Sequence, residues 1–163
     1  MRRAQLDDAA AIAEVHTRSW ESAYAHAFGA ENLATIDVSR RRDWWERCIA
    51  RGEGTVLVAE LEGSVVAFAS VGPSRDADAE GELYAIYALP QAWGSGVGSA
   101  LMDAGVAALR DAGYRDAVLY VLDDNPRARR FYEREGWSVD GVTKRAEFFG
   151  IPITEVRYRL ELG

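Results

Sequence analysis

Apolar positions recur with two different periods along the chain, which predicts both helices and strands. After a short opening strand at Met1–Ala4, apolar side chains recur every three to four residues in the segment that begins at Asp7 and Asp8, two candidate helix N-caps. A second helix is predicted over Val38–Ala50. The first third of the chain is therefore predicted to be largely helical.

The middle of the chain changes to β-rich runs. Thr55–Leu61 and Ser64–Val71 are separated by Glu62-Gly63, a signal for a tight β-hairpin turn. A third run of aromatic and aliphatic residues, Glu82–Leu89, follows one loose stretch that is short enough to be a surface loop. This part of the sheet is expected to be antiparallel.

The second half alternates between helical and extended segments. Its predicted elements are a loop at Pro90–Gly98, a helix at Ser99–Ala112 stopped by Gly113, a strand at Asp116–Leu122, a helix from Pro126 to Gly136, and closing strands at Trp137–Val142 and Thr154–Leu162. The order is then βααβββαβαββ. Because a helix joins the strands at 82–89 and 116–122, these two are predicted to pair in parallel within a largely antiparallel sheet flanked by helices, an α/β (α+β) fold.

Length, composition and charge exclude several classes of protein. With 163 residues and 48% hydrophobic residues, the chain is expected to form a single globular domain over 1–163. A net charge of −7 argues against a nucleic-acid-coating protein, and no apolar run is long enough to span a membrane. The start resembles no signal peptide, so a cytoplasmic location is expected. A lone Cys48 with His16 and His26 far from it indicates neither a disulfide nor a metal site.

A glycine-rich loop carries the strongest chemical signal. Gly94, Gly96 and Gly98 stand between a predicted strand and the N-terminus of a predicted helix, whose free N–H groups and dipole favour an anion. The pattern matches neither the nucleotide-hydrolase phosphate loop nor the dinucleotide fingerprint. The loop could bind a pyrophosphate through backbone alone, or it could simply let strand and helix pack closely.

A second group of residues follows the next strand. Asn125 is placed at the strand end and Tyr132 seven residues later, about two helical turns, so both can lie on one face. A phenol can protonate a leaving group and an amide can both donate and accept hydrogen bonds. Alternatively, Asn125 caps the helix while Phe131 and Tyr132 belong to the core.

Together these two groups resemble the GCN5-related N-acetyltransferase (GNAT) family. The family signature Q/R-x-x-G-x-G/A matches Gln91, Gly94 and Gly96, and the family's Asn and Tyr match Asn125 and Tyr132. The predicted element order agrees with the GNAT fold along nearly the whole chain. Finer matches indicate a bacterial subfamily of uncharacterised or phosphinothricin-acetyltransferase-like members.

The resemblance implies acetyl-CoA as cosubstrate and a site without metal. Backbone N–H groups of the glycine loop would bind the pyrophosphate, Asn125 would contact the pantetheine arm, and Tyr132 would protonate the departing thiolate. The implied cofactor contacts are Ala88, Leu89, Gln91, Trp93, Gly94, Ser95, Gly96, Val97, Gly98, Ser99, Asn125, Arg129 and Tyr132. Many members carry Arg where this chain has Gln91, so the 3′-phosphate of CoA is left to Arg127, Arg129, Arg130 or Lys144.

The resemblance also indicates which groups deprotonate the reacting amine and stabilise the developing oxyanion. It points to Glu82, with Tyr84 on the same strand face by the period of two, acting around one water. Alternatively Glu82 is a solvated strand-end carboxylate and water takes the proton. The developing oxyanion would be stabilised by a backbone N–H near Tyr87 to Leu89, and the sequence leaves open which one.

The same resemblance implies that the acceptor pocket lies beside the first helices. Trp20 and Tyr24, spaced i and i+4, would form an aromatic wall for an apolar or cationic amine, or they would belong to the core. Of the adjacent Trp44 and Trp45, at most one can point inward. Cys48 is expected to be a packing residue rather than a nucleophile.

These residues predict an N-acetyltransferase that acts by direct transfer to a primary amine of a small molecule in a ternary complex. The alternatives are a non-catalytic acyl-CoA-binding regulatory module and an enzyme acting on a protein or on charged transfer RNA. The closing strands leave an edge through which a homodimer could form.

Overall fold

The computed structural model describes residues 1–163, and its seven strands form one sheet. The strands are β1 Arg2–Arg3, β2 Thr55–Leu61, β3 Ser64–Pro73, β4 Gly81–Ala88, β5 Asp116–Leu122, β6 Ser138–Phe148 and β7 Ile151–Glu161. In space they follow the order β1-β2-β3-β4-β5-β7-β6, and only β4 and β5 are parallel. The predicted mixed α/β sheet with one parallel pair is confirmed.

Five helices flank this sheet. They are α1 Ala9–Phe28, α2 Ala30–Leu33, α3 Val38–Arg51, α4 Val97–Asp111 and α5 Pro126–Arg134. Asp37 caps α3 by accepting hydrogen bonds from the N–H groups of Ser39 and Arg40, which satisfies two of the free donors at the helix start. Asp8, one of the two predicted N-cap candidates, does occupy the N-cap position of α1. Its carboxylate does not bond to the helix start but accepts hydrogen bonds from the Arg2 guanidinium and the Gln5 N–H.

Each face of the sheet has its own apolar core, because strand residues alternate between the faces. On one face, Leu101 and Leu109 of α4 pack with Ala69 and its neighbours in the larger cluster. On the other face, Ile12 of α1 packs with Phe68 in a smaller cluster that includes the first and third helices. The two helical layers are thereby fixed on opposite sides of the strands that carry the site.

The parallel pair β4 and β5 is joined over a very short length. Gly81 pairs with Ala117 and Glu82 with Val118, and beyond these positions the two strands diverge. β4 also contains a bulge, because Ser70 faces Ala85 whereas the next β3 residue faces Leu83. Bulges bend a strand and redirect its side chains. The sheet therefore opens into a gap at its centre.

The structure differs from the predicted elements mainly at the C-terminal end. β6 extends to Phe148 and β7 begins at Ile151, so a long hairpin replaces the loop predicted between 142 and 154. Its turn consists of Phe149 and Gly150, which both have positive φ angles. The short helix α2 was also not predicted. The remaining elements occur in the predicted order, with ends that shift by a few residues.

Candidate active site

A cleft of roughly 1650 Å³ occupies the gap between β4 and β5 and continues toward α1. It brings together most of the residues selected from the sequence. Cleft-lining positions include Trp20, Tyr24, Glu82, Tyr84, Ala88, Trp93, Gly94, Gly96, Val97, Gly98, Ser99, Asn125 and Tyr132. One end is formed by the glycine loop and α5, and the other by α1 and the hairpin of β6 and β7.

The glycine loop presents free backbone donors at one end of this cleft. The first i to i−4 hydrogen bond of α4 runs from the Ala100 N–H to the Gly96 carbonyl, and among side chains only Ser95 accepts from the start of the helix, from the Val97 N–H at 3.4 Å. The N–H groups of Gly98 and Ser99 therefore lack partners within the helix. Uncapped N–H groups at the positive end of a 15-residue helix favour a phosphate group.

The geometry at Gly94 and Gly96 argues against a purely packing role for this loop. Both residues have positive φ angles, +75° and +85°. A Cβ atom at either position would meet no heavy atom within 4 Å, so no close approach of strand and helix requires glycine there. Only Gly98 packs closely, against Phe131. The loop is shaped by backbone conformation and faces open space, as an anion site requires.

Trp93 and Arg127 meet across this end of the cleft. The Arg127 guanidinium carbon lies 3.2 Å from the centroid of the Trp93 ring, and the Trp93 Nε1–H donates to the Ala88 carbonyl at 2.9 Å. Burial lowers the pKa of Arg127. This contact joins the glycine loop to α5, and it places one cation beside the anion site.

Asn125 and Tyr132 both line the cleft from the β5 and α5 side. The Asn125 side-chain oxygen accepts a hydrogen bond from the Ala128 N–H at 3.2 Å, so this residue does cap α5. Its NH₂ group remains available to a ligand. The Tyr132 ring is largely buried, its hydroxyl makes no hydrogen bond within the protein, and burial raises its pKa. Tyr132 therefore offers a protonated hydroxyl to the cleft.

The strand register shows which backbone groups of β4 face the gap. The Leu89 N–H donates to the Val66 carbonyl at 2.9 Å, toward β3. Since hydrogen-bonded pairs alternate along an antiparallel ladder, the Tyr87 N–H also points to β3, whereas the Ala88 N–H points into the gap. Of the three amides considered from the sequence, only that of Ala88 can reach a ligand there.

Comparison with known proteins agrees with this geometry. Residues 10–137 match the model of the family described as "Acetyltransferase (GNAT) family". The chain belongs to the GNAT family. One relative, the uncharacterised N-acetyltransferase YuaI of Bacillus subtilis, is 36% identical over 160 residues, which cover 96% of this chain and 89% of the relative. The protein is thus an acetyl-CoA-dependent N-acetyltransferase, as its GNAT relatives and structural neighbours indicate.

Solved GNAT structures have the same fold. The protein yncA of Salmonella typhimurium, whose structure contains its cofactor acetyl-CoA, aligns with a TM-score of 0.74 and 26% identity over 99% of this chain and 92% of that chain. A ribosomal-protein-alanine N-acetyltransferase from Brucella melitensis aligns with a TM-score of 0.77 and 25% identity over 98% of both chains. The uncapped glycine loop and the open β4–β5 gap of this GNAT domain fit acetyl-CoA.

Glu82 lies in a different environment from the solvated strand end considered in the sequence. Its side chain is only 1% exposed. The Arg75 guanidinium binds both carboxylate oxygens, and the Arg75 N–H donates to Glu82 Oε2 at 2.9 Å. Tyr84 lies beside this pair, with its ring centroid 5.2 Å from the Arg75 guanidinium carbon. The Tyr84 hydroxyl donates to the Pro73 carbonyl. Burial raises the pKa of Tyr84 to about 12.

The loop that carries Arg75 is fixed by ion pairs from β7. Arg157, with a side chain 4% exposed, donates hydrogen bonds to Asp76, Asp78 and Asp140 at 2.7 to 2.9 Å. The Tyr120 hydroxyl also donates to Asp76, at 2.5 Å. These contacts join the β3–β4 connection to the far half of the sheet, and so they determine where Arg75 meets Glu82.

The end of this cleft nearest α1 is lined by aromatic rings. Trp20 and Tyr24 of α1 contact each other at 5.1 Å between centroids, and the Tyr24 and Tyr87 hydroxyls lie 3.4 Å apart. Phe148 of β6 packs edge-on against Trp20 at 5.6 Å. These rings are only half-buried, so they form a wall of the cleft as well as a packed cluster.

Other candidates near this wall have structural roles. Trp45 is buried and its Nε1–H donates to His16 Nδ1 at 3.3 Å, whereas Trp44 is exposed, so one of the two points inward as predicted. Burial lowers the pKa of His16 to about 3, which keeps the ring neutral. Burial also raises the pKa of Cys48, which opposes a role as a thiolate nucleophile.

Several implied cofactor contacts do not face the cleft. Arg129 donates to the Tyr158 hydroxyl and to Asp123, so its guanidinium is bound by residues outside the cleft lining. Leu89 is buried among α1 residues, and Gln91 lies in an exposed 3₁₀ turn. The Ser95 hydroxyl donates to the carbonyl of Ala92 within the loop's own turn. These four residues do not line the cleft, and their contacts with acetyl-CoA stay predictions.

Phe148 and Glu155 are among the cleft residues that sequence reasoning did not select. Both belong to the hairpin whose length was underestimated. The signal that could have located them is Phe149-Gly150, a two-residue turn flanked by alternating side chains. None of the helices combines the length and the apolar character needed to cross a membrane, and no three His, Cys, Asp or Glu side chains converge as metal ligands would.

Proposed function

We propose that this GNAT enzyme transfers the acetyl group of acetyl-CoA to the primary amine of a small molecule by direct attack in a ternary complex. One observation carries the proposal. A single cleft joins a backbone anion site at one end to a half-buried aromatic wall at the other, and the unpartnered hydroxyl of Tyr132 lies on the lining between them.

The cofactor end supports binding through backbone atoms. The N–H groups of Gly94, Gly96, Gly98 and Ser99 hold the pyrophosphate, because they make no hydrogen bond within the protein and lie at or just before a helix N-terminus. The N–H groups of Ser95 and Val97 instead donate to the Ala92 carbonyl and to Ser95 Oγ. The NH₂ group of Asn125 hydrogen-bonds the pantetheine arm. Arg127 and Arg130 line this end, whereas Lys144 lines the opposite wall, so we assign the 3′-phosphate of CoA to the two arginines.

Acetyl-CoA supplies an activated thioester, and the remaining chemistry belongs to groups of this chain. The Ala88 N–H donates to the carbonyl oxygen as negative charge develops on it. Tyr132 gives its proton to the departing thiolate and regains one from the attacking nitrogen. Both groups approach from the β4–β5 gap, so the strand divergence is what makes the reaction site accessible.

The amine must be neutral when it attacks, and a carboxylate of the cleft is suited to take its proton. As the resemblance in the sequence implies, we assign this proton transfer to Glu82, with Tyr84 beside it, acting through one water molecule. The Glu82 oxygens are held by Arg75, so proton transfer to Glu82 requires that ion pair to loosen. Arg75 is mostly exposed, which makes such movement feasible on the timescale of exposed side chains.

Titration calorimetry with acetyl-CoA, followed by thiol release over a panel of primary amines, tests the proposal. The expected result is binding together with release that depends on the amine. A matched Gly96→Glu variant is expected to lose binding, because a carboxylate would enter the anion site. Binding without release for any small amine, combined with acetylation of a peptide N-terminus or lysine, would overturn the small-molecule assignment. Binding with no transfer at all would favour a regulatory module.

The proposal also covers the cellular location and the oligomeric state of the enzyme. We place the enzyme in the cytoplasm, where acetyl-CoA is available. We also propose that the exposed edge strand β6, which carries the exposed Val139 and Val142, supports a homodimer. Light scattering on the eluting protein checks this, and a monomer at micromolar concentration would refute it.

A further inference from the structure

Glu155 occupies a special position at the mouth of the β4–β5 gap. On β7 it faces Leu122, the last residue of β5, and on its other side it faces Lys144 of β6. Its side chain lines the cleft together with Tyr24, Tyr87 and Phe148. A carboxylate is thus presented at the acceptor end, from an element that the mechanism described above does not use.

No group of the protein neutralises this carboxylate by contact. Lys144, its cross-strand neighbour, lies instead over the Tyr120 ring at 5.1 Å, and Glu155 forms no ion pair within 4.0 Å and no hydrogen bond. Burial raises the pKa of Glu155, while the charges of Lys144 and Arg75 oppose that rise and Glu82 adds to it. A half-buried carboxylate with no partner is costly unless a ligand supplies the cation.

The surroundings of Glu155 are aromatic. Burial raises the pKa of both Tyr24 and Tyr87, and the charge of Glu155 adds to the rise; the two hydroxyls lie 3.4 Å apart on the far wall. Trp20 and Phe148 continue the wall from α1 and β6. Aromatic faces attract cations and bury apolar groups, so this arrangement provides an anionic contact beside an aromatic wall.

We infer that Glu155 is the ammonium-binding residue of the acceptor site, and that the acceptor is a primary amine carried on an apolar, preferably aromatic, body. The inference rests on the proposed function, which it narrows. The ammonium group contacts Glu155, and the body of the molecule lies against the ring wall.

The binding test uses a cation that cannot be acetylated. N,N-dimethylphenethylamine is a tertiary amine with an aromatic body, and phenethyl alcohol is a neutral compound with the same phenethyl body. Dissociation constants of both are measured by titration of the CoA-bound enzyme and, separately, of the CoA-free enzyme. Wild-type protein is expected to prefer the cation by about tenfold or more, the usual effect of a charge-assisted contact.

Three variants make the test specific. Glu155→Gln keeps the shape but removes the charge, and it is expected to bind cation and alcohol about equally. Glu155→Asp retains the charge and is expected to keep most of the preference. Glu147→Gln is the matched control, because Glu147 is exposed on the same hairpin and the strand alternation turns it to the opposite face. It is expected to behave as wild type.

Kinetics provide the second readout, with phenethylamine as the acetylated probe. Glu155→Gln is expected to lower kcat/KM about tenfold or more, mainly through KM, with an unchanged affinity for acetyl-CoA. A wild-type enzyme without preference for the cation, or a Glu155→Gln variant that keeps the preference, overturns the inference. Failure of wild-type protein to bind acetyl-CoA would instead overturn the proposed function, while the cation preference is still measured on the CoA-free protein.

Discussion

Replacing Tyr132 with Phe separates catalysis from stability. The substitution removes one oxygen atom and leaves the ring in place among the α4 and α5 residues of the larger core. The hydroxyl makes no hydrogen bond within the protein, so its removal leaves no other protein group unsatisfied. The structural cost is therefore expected to be small.

The magnitude follows from the role proposed for the hydroxyl. A positioned general acid contributes about 10²- to 10⁴-fold to the rate, which corresponds to roughly 2.7 to 5.4 kcal/mol of transition-state stabilisation at about 1.36 kcal/mol per factor of ten. The free energy of unfolding is expected to change by less than about 1 kcal/mol. The affinity for acetyl-CoA should be nearly unchanged, because Tyr132 acts on the leaving sulfur.

The assay compares this variant with Tyr158→Phe. The Tyr158 hydroxyl accepts a hydrogen bond from Arg129 at 3.1 Å and donates one to Glu133 at 2.8 Å, and Tyr158 is fully buried outside the cleft. Losing two hydrogen bonds is expected to cost about 1 to 3 kcal/mol of stability with little effect on kcat. Thiol release measures the rate and urea unfolding measures stability for both variants.

The two variants should therefore show opposite patterns. Tyr132→Phe is expected to be stable and slow, and Tyr158→Phe unstable and fast. A Tyr132→Phe enzyme that keeps wild-type kcat at saturating acetyl-CoA and amine would refute Tyr132 as the acid. A variant that loses activity only because acetyl-CoA binds more weakly would refute the same assignment, since the hydroxyl would then contribute to binding.

Three further predictions concern the cofactor loop and the ion pairs. Gly96→Ala should keep the fold, since its Cβ meets no atom, with a strain of about 1 to 2 kcal/mol, and calorimetry should show weaker acetyl-CoA binding. Ser99→Ala should change that affinity less than about threefold, because the Ser99 hydroxyl is bound to Glu135 and its N–H remains. Hydrogen bonds from Tyr120 and Arg157 lower the pKa of Asp76 in the folded state below its value in the unfolded state. The ionised Asp76 therefore contributes to the free energy of unfolding above about pH 4, and this contribution is lost as acid protonates the native carboxyl. Urea unfolding should accordingly show a shallower acid-side loss of stability in Arg157→Ala than in wild type.

Local patterns were sufficient to predict the centre of this chain. The order of strands and helices from Thr55 to Arg134 follows from apolar periodicity and from turn and cap residues, and short-range interactions determine these features. The glycine loop was located in the same way, because positive φ angles at Gly94 and Gly96 are local requirements. The resemblance to the GNAT family then implied that this loop binds the pyrophosphate of acetyl-CoA.

The tertiary environment of the candidate carboxylates could not be predicted. Glu82 was placed correctly on its strand, yet its burial depends on Arg75, whose loop is held by Arg157 some 80 residues later in the chain. Such long-range ion pairs have no periodic signal. Glu155 was missed for a related reason: it lies in the predicted closing strand Thr154–Leu162, but no local pattern indicates that this strand borders the cleft.

The short junction between β4 and β5 links the stability of this enzyme to its cosubstrate. The two halves of the sheet share only two residue pairs, so a ligand that fills the gap bridges them like a missing strand. Binding to the folded chain alone adds about 2.7 kcal/mol at a concentration one hundred times the dissociation constant. Backbone amides along β4 would then exchange with solvent more slowly, and the chain would resist proteolysis when acetyl-CoA is plentiful. The amount of enzyme that persists in a cell thereby becomes a function of acetyl-CoA supply.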